Sequence, residues 1–396
     1  MNGGKSAGEW REISRGRIIA RLFTARVAHE HASRPIGRLY VSVDEHLYDS
    51  IELYVWSGTG NTRHVAESLA EAARSRGSSA RVHMLEGVDE QQPQAPQLIG
   101  LLGPTHGFTT TWPILKAAMT IPGVRDVDAF VLVTRGGTKV AGTIFAGFEG
   151  TAAYLPAAML AMRGARIRGV GAIDMPLNWT VIVPAFGPLG VEAIVDRGDD
   201  QTSRFASRIL DGKTAFGGLA QLLLGLLILP LSLGYMLIAR LLLAKMFFAD
   251  ERCTSCGVCE KNCPQKAVRL RGQSCRPYWT YSCQNCMRCM SLCPTEAIQG
   301  GQAWLVFYMW LVALPVGAVA AGALLDAMGV TSGVISGVLS LVTSYVWIMF
   351  AVWLAYGILW LGLLVPGVRF VLSRATFTRR YRRYRGPDGS GDAKRT

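Results

Sequence analysis

CTSCGVCEKNCPQKAV at residues 253–268 is answered thirty residues later by CQNCMRCMSLCPTEAI at 283–298. The cysteines fall at Cys253, Cys256, Cys259 and Cys263, then at Cys283, Cys286, Cys289 and Cys293. Each run is spaced x2, x2, x3 and closed by a proline, Pro264 or Pro294. All nine cysteines lie between Cys253 and Cys293, and the ninth, Cys275, has no place in the pattern. Cysteines so clustered either form disulfides in an oxidising compartment or ligate metal as thiolates. The first fifty residues hold no apolar signal-peptide core, only Arg-rich mixed sequence, which favours ligation. Zinc sites usually pair two separated Cys-x2–4-Cys knuckles. Doubled four-cysteine runs with a trailing proline suit iron–sulfur clusters better, because the short spacing lets three thiolates wrap one face of a cubane.

Over about fifty residues the region resembles bacterial two-cluster ferredoxins, with Lys266-Ala267-Val268 and Glu296-Ala297-Ile298 following the two prolines as halves of a pseudo-repeat. In that arrangement the fourth cysteine of each run serves the other cluster. The resemblance implies two [4Fe–4S] clusters, one on Cys253, Cys256, Cys259 and Cys293, the other on Cys283, Cys286, Cys289 and Cys263. Cys275 is then a bystander thiol or a ligand in an altered cluster. Such clusters pass single electrons, and no residue in the stretch suggests bond-breaking chemistry of its own.

Towards the N-terminus, short apolar runs at 51–56, 80–84, 97–102, 129–133 and 168–172 alternate with helical stretches at 62–74, 113–120, 151–163 and 201–210. This alternation predicts an α/β domain over 50–212, a doubly wound parallel sheet with helices on both faces. Between the first strand and first helix lie Ser57-Gly58-Thr59-Gly60-Asn61-Thr62. Glycines and small hydroxyl residues there let backbone N–H groups approach a phosphate, whose charge the helix N-terminus favours. Taken alone, the loop is either such a cradle or a plain turn capping a helix. It lacks the Gly-Lys-Ser/Thr of ATP-type loops and the Gly-x-Gly-x-x-Gly dinucleotide pattern. Gly103-Pro104-Thr105-His106-Gly107-Phe108 follows the third strand and Thr134-Arg135-Gly136-Gly137 the fourth.

The hydroxyl-rich, lysine-free loop resembles the phosphate loop of flavodoxins. The resemblance implies FMN, with its phosphate held by Ser57, Thr59, Gly60, Asn61 and Thr62. Its ring would be held by Pro104, Thr105, His106, Gly107, Phe108, Thr134, Arg135, Gly136 and Gly137, with Phe108 or Trp112 against one face. Met175-Pro176-Leu177-Asn178-Trp179 is similar to a segment after the fifth strand of flavodoxin–ferredoxin fusions and is given no role. The domain order resembles those fusions over most of residues 51–300, and this chain adds apolar segments on both sides of the ferredoxin. His31, His64 and the other scattered histidines show no metal-ligand pairing and are expected at the surface or in caps.

Half of the chain is hydrophobic and only 17% is charged, a balance that calls for membrane segments. Apolar runs occupy 216–248, broken by Pro230 and carrying Arg240 and Lys245, then 303–325 and 334–365. The last two each reach the ~20 residues that span a bilayer. Trp304, Tyr308 and Trp310, then Trp353, Tyr356 and Trp360, lie towards one end of each, as interfacial aromatics do. The expected organisation is a basic leader at 1–49 (disordered, a peripheral helix near 17–27, or translation from an upstream start), the α/β domain, a membrane segment at 213–249, the cluster domain at 250–300, transmembrane helices at 302–326 and 333–367, and a basic tail at 368–396. Arg369, Arg374, Arg379, Arg380, Arg382, Arg383 and Arg385 supply much of the net charge of +13. Beside apolar sequence they indicate a cytoplasmic membrane anchor, not a nucleic-acid arm. The expected location is a bacterial inner membrane with both redox domains in the cytoplasm. A re-entrant or in-plane hairpin turning near Pro230 keeps them together, whereas a single span at 213–249 separates them.

Three functions stay open. One is a membrane-bound relay passing electrons between FMN and the clusters to a membrane-associated redox partner, such as a lipid-modifying reductase or a radical enzyme. Another is a quinone reductase whose quinone docks among the apolar segments, although no intramembrane His or acid is placed to protonate it. The last is a scaffold subunit of a membrane redox complex. Whether the chain is an enzyme in its own right is undecided. No pyridine-nucleotide fingerprint is present, so direct NAD(P)H oxidation is not expected.

Overall fold

A computed structural model describes residues 47–86, 96–327, 329, 333–384, 386 and 387. The expected leader, but for its last three residues, lies outside the described residues, as do His31 and Arg385. The first part of the chain runs β1 (Ser50–Val55), α1 (Asn61–Arg74), β2 (Ser79–Met84), β3 (Leu98–His106), β4 (Thr109–Thr110), α2 (Trp112–Thr120), β5 (Asp128–Val140), β6 (Thr143–Phe145), α3 (Tyr154–Met162), β7 (Arg166–Pro176), α4 (Pro188–Leu210) and β8 (Ala215–Phe216). The strands lie in the order β2-β1-β3-β5-β7-β8, every neighbouring pair parallel. β4 and β6 are short antiparallel returns on β3 and β5. Counted by its five long strands the order is 2-1-3-4-5, the flavodoxin-like one, with its switch point between β1 and β3.

The strand sequences explain the layering. Leu53 and Val55 enter one core with Val65 and Leu69 of α1 and Ile209 of α4. Tyr54 and Trp56 enter the opposite core with Ile114 of α2 and Leu160 of α3. Strands buried on both faces read as continuous apolar runs, which is why 51–56 stands out in sequence. α4 is longer than the expected 201–210. Its added first half carries Arg197, whose side chain joins that of Gln201, in the expected stretch, on Asp174 at the end of β7. Glycine at 187, 190 and 198 and proline at 188 make this stretch read as loop.

After β8 come α5 (Leu219–Leu227), α6 (Leu229–Gly234), a π-helical turn (Tyr235–Ala239) and α7 (Arg240–Ala244). The cysteine region folds as β9 (Phe247–Ala249), α8 (Val258–Lys261), β10 (Val268–Arg271), β11 (Arg276–Trp279), α9 (Arg288–Leu292) and β12 (Ile298–Gly300). β10 pairs with β11 and β9 with β12, both antiparallel. Then follow α10 (Gln302–Ala313), α11 (Val316–Ala327), α12 (Val334–Gly362) and α13 (Pro366–Arg374). Gln302–Ala327 and Ser336–Gly362 are each long and apolar enough to cross a membrane.

These two helices pack through small residues. Thr343 Oγ1 donates to Gly317 O at 2.8 Å, and a Cβ at Gly317 would lie 2.7 Å from Ser344 N. Gly317→Leu is expected to part the pair at a cost of about 1–3 kcal/mol, read as a lower midpoint of thermal unfolding in detergent. At their near ends both helices are tied to the cysteine region. Trp279 N donates to Tyr356 Oη at 3.0 Å and Tyr308 Oη to Lys245 O at 2.9 Å. Lys245 is buried, donates to Trp279 O, and lies 4.3 to 4.9 Å from the ring centroids of Tyr278, Tyr281 and Tyr356. The π faces favour its cationic form.

The first apolar run breaks at Ile228, two residues before Pro230, and its two arms diverge by 74°. α5 lies on the α/β domain, where a Cβ at Gly225 would meet Gly150 C at 2.6 Å. Tyr235 packs on Gly107. The α/β domain is also in direct contact with the cysteine region, Gly58 against Cys286.

Candidate functional site

The two cysteine runs adopt one backbone path twice. Ser255 and Gly257 have φ of 57° and 76°, and Asn285 and Met287 have 54° and 61°. Further on, Lys266 and Glu296 repeat at 48° and 52°. Each is followed by an alanine whose N–H reaches back to sulfur, Ala267 to Cys263 Sγ and Ala297 to Cys293 Sγ, both at 3.2 Å. Such bonds stabilise a ligating thiolate and tune its cluster. The thiols sort into two cavities of about 20 Å³ each. Cys253, Cys256, Cys259 and Cys293 line one, and Cys263, Cys283, Cys286 and Cys289 the other. The fourth cysteine of each run thus sits with the other run. Cys275 is exposed in the turn between β10 and β11 and lines neither.

At the carboxyl edge of the parallel sheet lies a cavity of about 610 Å³, within the ~300–1,000 Å³ of small-molecule sites. Ser57, Thr59, Asn61, Thr62, Pro104, Thr105, His106, Gly107, Phe108, Thr134, Arg135 and Gly136 line it. Gly60 and Gly137 do not. Gly60 is the residue before α1, with φ of 105°, and Gly137 packs against Ile194 and Asp174. Trp112 is also outside the lining, being half exposed on α2. Its place is taken by Phe148, Trp179 and Tyr235 beside Phe108. Pro230, Leu231 and Gly234 complete the wall on the α6 side.

The phosphate-type loop is anchored from three directions. Within the α/β domain, Asn178 Nδ2 donates to Thr59 Oγ1, Asn61 Nδ2 to Pro176 O at 3.1 Å, and Thr62 Oγ1 bonds Thr134 Oγ1 at 2.8 Å. From the cysteine region, Arg288 donates through Nε to Gly58 O at 2.6 Å and through Nη2 to Ser57 O at 2.9 Å. The same guanidinium pairs with Glu86, with Nη2 to Oε1 at 2.6 Å. From beyond α13, Tyr384 Oη donates to Asn61 Oδ1, and Gly386 packs over Thr59 and Gly60. A Cβ at Gly58 would lie 2.6 Å from Cys286 O, so only glycine lets the loop approach this thiol's backbone so closely. Thr105 Oγ1, Asn178 Oδ1 and Asn285 Oδ1 are buried without a hydrogen-bond partner among the described residues, on residues that line the cavity.

Residues 247–269 match the family model of the 4Fe-4S binding domain. That stretch contains the first cysteine run. Similar solved structures include a flavodoxin from the domain Archaea, at 16% identity over 41% of this chain and 96% of that one, with a TM-score of 0.30. The two-electron reduced flavodoxin of Megasphaera elsdenii matches at 17% over 39% and 98%, TM-score 0.25. The rubredoxin oxygen:oxidoreductase of Desulfovibrio gigas matches at 12%, over 43% of this chain but only 38% of its own length, TM-score 0.29. No curated protein matches the chain. The fold assignment rests on the strand order. The chain thus joins a flavodoxin-like α/β domain to a ferredoxin-type 4Fe–4S region and two helices fit to cross a membrane.

Charge in the cavity wall is locked. Arg135 Nε meets Asp174 Oδ1 at 2.7 Å and Nη1 meets Glu149 Oε2 at 2.6 Å. Asp174 also accepts from Gly147 N at 3.0 Å and Gln201 Nε2 at 2.9 Å. Burial pushes the Asp174 carboxyl up, but Arg135, Gln201 and the Gly147 N–H outweigh it and hold the group below its ordinary value. A lowered carboxyl pKa contributes stability above the unfolded aspartate range, and that stability is lost as pH falls through the folded value. Asp174→Asn leaves Arg135 short of a buried partner. It is expected to lower stability by about 3 kcal/mol, seen as a lower thermal midpoint at pH 7. Desolvation pushes His106 down to about 4 against a hydrogen bond to the Gln284 backbone, so its ring is neutral at pH 7.

One expectation is corrected. His83 is not at the surface. It is buried on β2, bonded to Glu52 and stacked on Tyr54, because an edge strand still turns alternate side chains inward. In the basic tail, as far as it is described, two arginines are tied to the cysteine region and its flanks. Arg379 meets Glu251 at 2.7 Å, and buried Arg383 donates to Ile298 O at 2.9 Å. Several residues of the site escaped the sequence reading. Arg288 stands where the first run has Val258, so an odd charge in the pseudo-repeat was the available signal. Tyr235 and Phe148 gave none.

Proposed function

We propose that the protein is a membrane-bound electron relay in which two [4Fe–4S] clusters and FMN serve a redox partner at the membrane. The contact between Cys286 and Gly58 carries the reading. Cys286 lines both the second thiol cavity and the large cavity, so one residue borders both cofactor sites. The crossed grouping of thiols supports Cys253, Cys256, Cys259 and Cys293 as one ligand set and Cys263, Cys283, Cys286 and Cys289 as the other.

The residues present suit FMN. The loop before α1 offers backbone N–H groups and the helix N-terminus to a phosphate, while Thr105, Asn178 and Asn285 hold unpaired polar atoms for a polar ring edge. When bound, flavin supplies the exchange between paired and single electrons. The chain's own task is positioning. Arg288 fixes the loop against the cysteine region, Arg135 is fixed in the cavity wall by its carboxylates, and covalent fusion keeps donor and acceptor at high effective concentration. The Arg-rich segment at the near ends of the long helices favours the cytoplasmic face of a bacterial inner membrane.

Iron and flavin analysis after anaerobic purification tests the reading. About eight irons and one equivalent of FMN are expected. A chain with intact cysteines but without iron or flavin would instead be a scaffold. The apolar wall contributed by α6 favours a quinone-type partner over a protein.

A further inference from the structure

We infer that the molecule exchanging electrons at the large cavity is dissolved in the lipid leaflet, a carrier of the quinone class, and that the α5–α6 elbow opens the cavity to it. The inference rests on the relay reading and names the partner of its flavin site.

The elbow has two unlike faces. On its inner side Gly225 packs on Gly150, Tyr235 packs on Gly107, and Pro230, Leu231 and Tyr235 form cavity wall. On its outer side Leu219, Leu223, Leu226 and Leu227 recur at the spacing of one helical stripe and are 51 to 76% exposed. Leu231 and Leu237 extend that surface past the bend at 60% and 57% exposed. No charged residue interrupts it between Lys213 and Arg240. An interfacial helix buries such a face about 5–10 Å into the headgroup and acyl boundary.

The elbow is also continuous with the membrane-crossing part of the chain. Leu242 of α7 packs in one cluster with Tyr308 of α10 and Val352 and Tyr356 of α12, and Ile238 packs against that cluster. Asn285 Nδ2 donates to Arg240 O at 2.8 Å, tying α7 to the cysteine loop. The wall of the cavity therefore continues directly into the heads of the spans, and its far side meets lipid where the spans do. Leu231 belongs to both surfaces, cavity wall and exposed stripe. A flat ring on an apolar tail suits this mouth, with Phe108, Trp179 and Tyr235 supplying aromatic walls. Reduction of a quinone to its quinol takes up two electrons and two protons. The electrons arrive singly through the cysteine region from a one-electron reductant protein, and the protons come from water.

The test uses the full-length protein with Cys275→Ser, reconstituted in phosphatidylethanolamine–phosphatidylglycerol vesicles. A bimane label is placed on Leu227→Cys, or on Ser75→Cys at the opposite end of the α/β domain. Lipids brominated in their acyl chains should quench the label at 227 at least about twofold more than that at 75, with aqueous iodide doing the reverse. Equal quenching of both labels by iodide would overturn the membrane contact. Separately, Leu227→Arg should slow reduction of a long-chain quinone in the vesicles by roughly tenfold, as a charge pressed into apolar lipid opposes docking. Ferricyanide, which is confined to water, should be reduced as before. Unchanged quinone reduction, or an equal fall with both acceptors, would overturn the lipid route. Iron and FMN content, measured on the same samples, shows separately whether the relay reading has failed.

Discussion

Cys286→Ala is expected to halve the iron of the purified protein, from about eight atoms to about four, because on the proposed ligand sets it removes one cubane of two. The four thiols of the other cavity, Cys253, Cys256, Cys259 and Cys293, do not include it. Their cluster should therefore survive with its own reduction signal. Flavin content should hold too, since Cys286 contributes only one edge of the large cavity. What fails is transfer between the two sites. With the nearest metal-borne group gone, reduction of the flavin by a one-electron protein donor should slow by about a hundredfold, the scale of lost positioning. Iron analysis, low-temperature magnetic resonance and stopped-flow flavin absorbance report the three quantities. Retention of all the iron would mean that Cys286 is not a ligand. Loss of all of it would mean that the two ligand sets are not independent.

Arg288→Ala should act on the flavin without touching the iron. Its guanidinium holds the Ser57 and Gly58 carbonyls and pairs with Glu86, both side chains being 18% exposed. Removing it leaves Glu86 partly buried and alone, at a cost of about 3 kcal/mol, and frees the loop that borders the phosphate. FMN should bind roughly tenfold or more weakly, equivalent to about 1.4 kcal/mol or more of lost preorganisation. Arg288→Lys should recover little, because an ammonium cannot satisfy two carbonyls and a carboxylate in one plane. Fluorescence titration of deflavinated protein gives the affinity. An unchanged dissociation constant would mean that the loop keeps its shape without the clamp.

The parts legible in sequence were those written in local chemistry. Alternate residues of 51–56 are buried on opposite faces of the sheet, so the run is continuously apolar and marks a central parallel strand. The cysteine runs carry their curvature in the chain itself, down to the matched positive φ at Ser255 and Asn285. Twelve of the fourteen residues assigned to the flavin line one cavity, because each of their loops leaves the same edge of a parallel sheet. What could not be read depends on distant partners. Nothing near Tyr235 says that it rests on Gly107, and nothing near Tyr384 points to Asn61, 323 residues away. The first half of α4 was missed for a different reason. Its apolar positions, such as Val191, Ile194 and Val195, stand among Gly187, Pro188, Gly190 and Gly198, and glycine and proline so placed read as loop.

The contact of Tyr384 and Gly386 with the loop at 59–61 sets an order of assembly. The loop leaves the ribosome early, but the residues that close over it follow only after both long helices have been made. A nascent α/β domain can thus reach its sheet and its cores while its cofactor loop stands open on one side. Closure waits until α12 has been made. Tight retention of a cofactor there then depends on the far end of the chain, and a chain cut before Tyr384 is expected to hold it loosely.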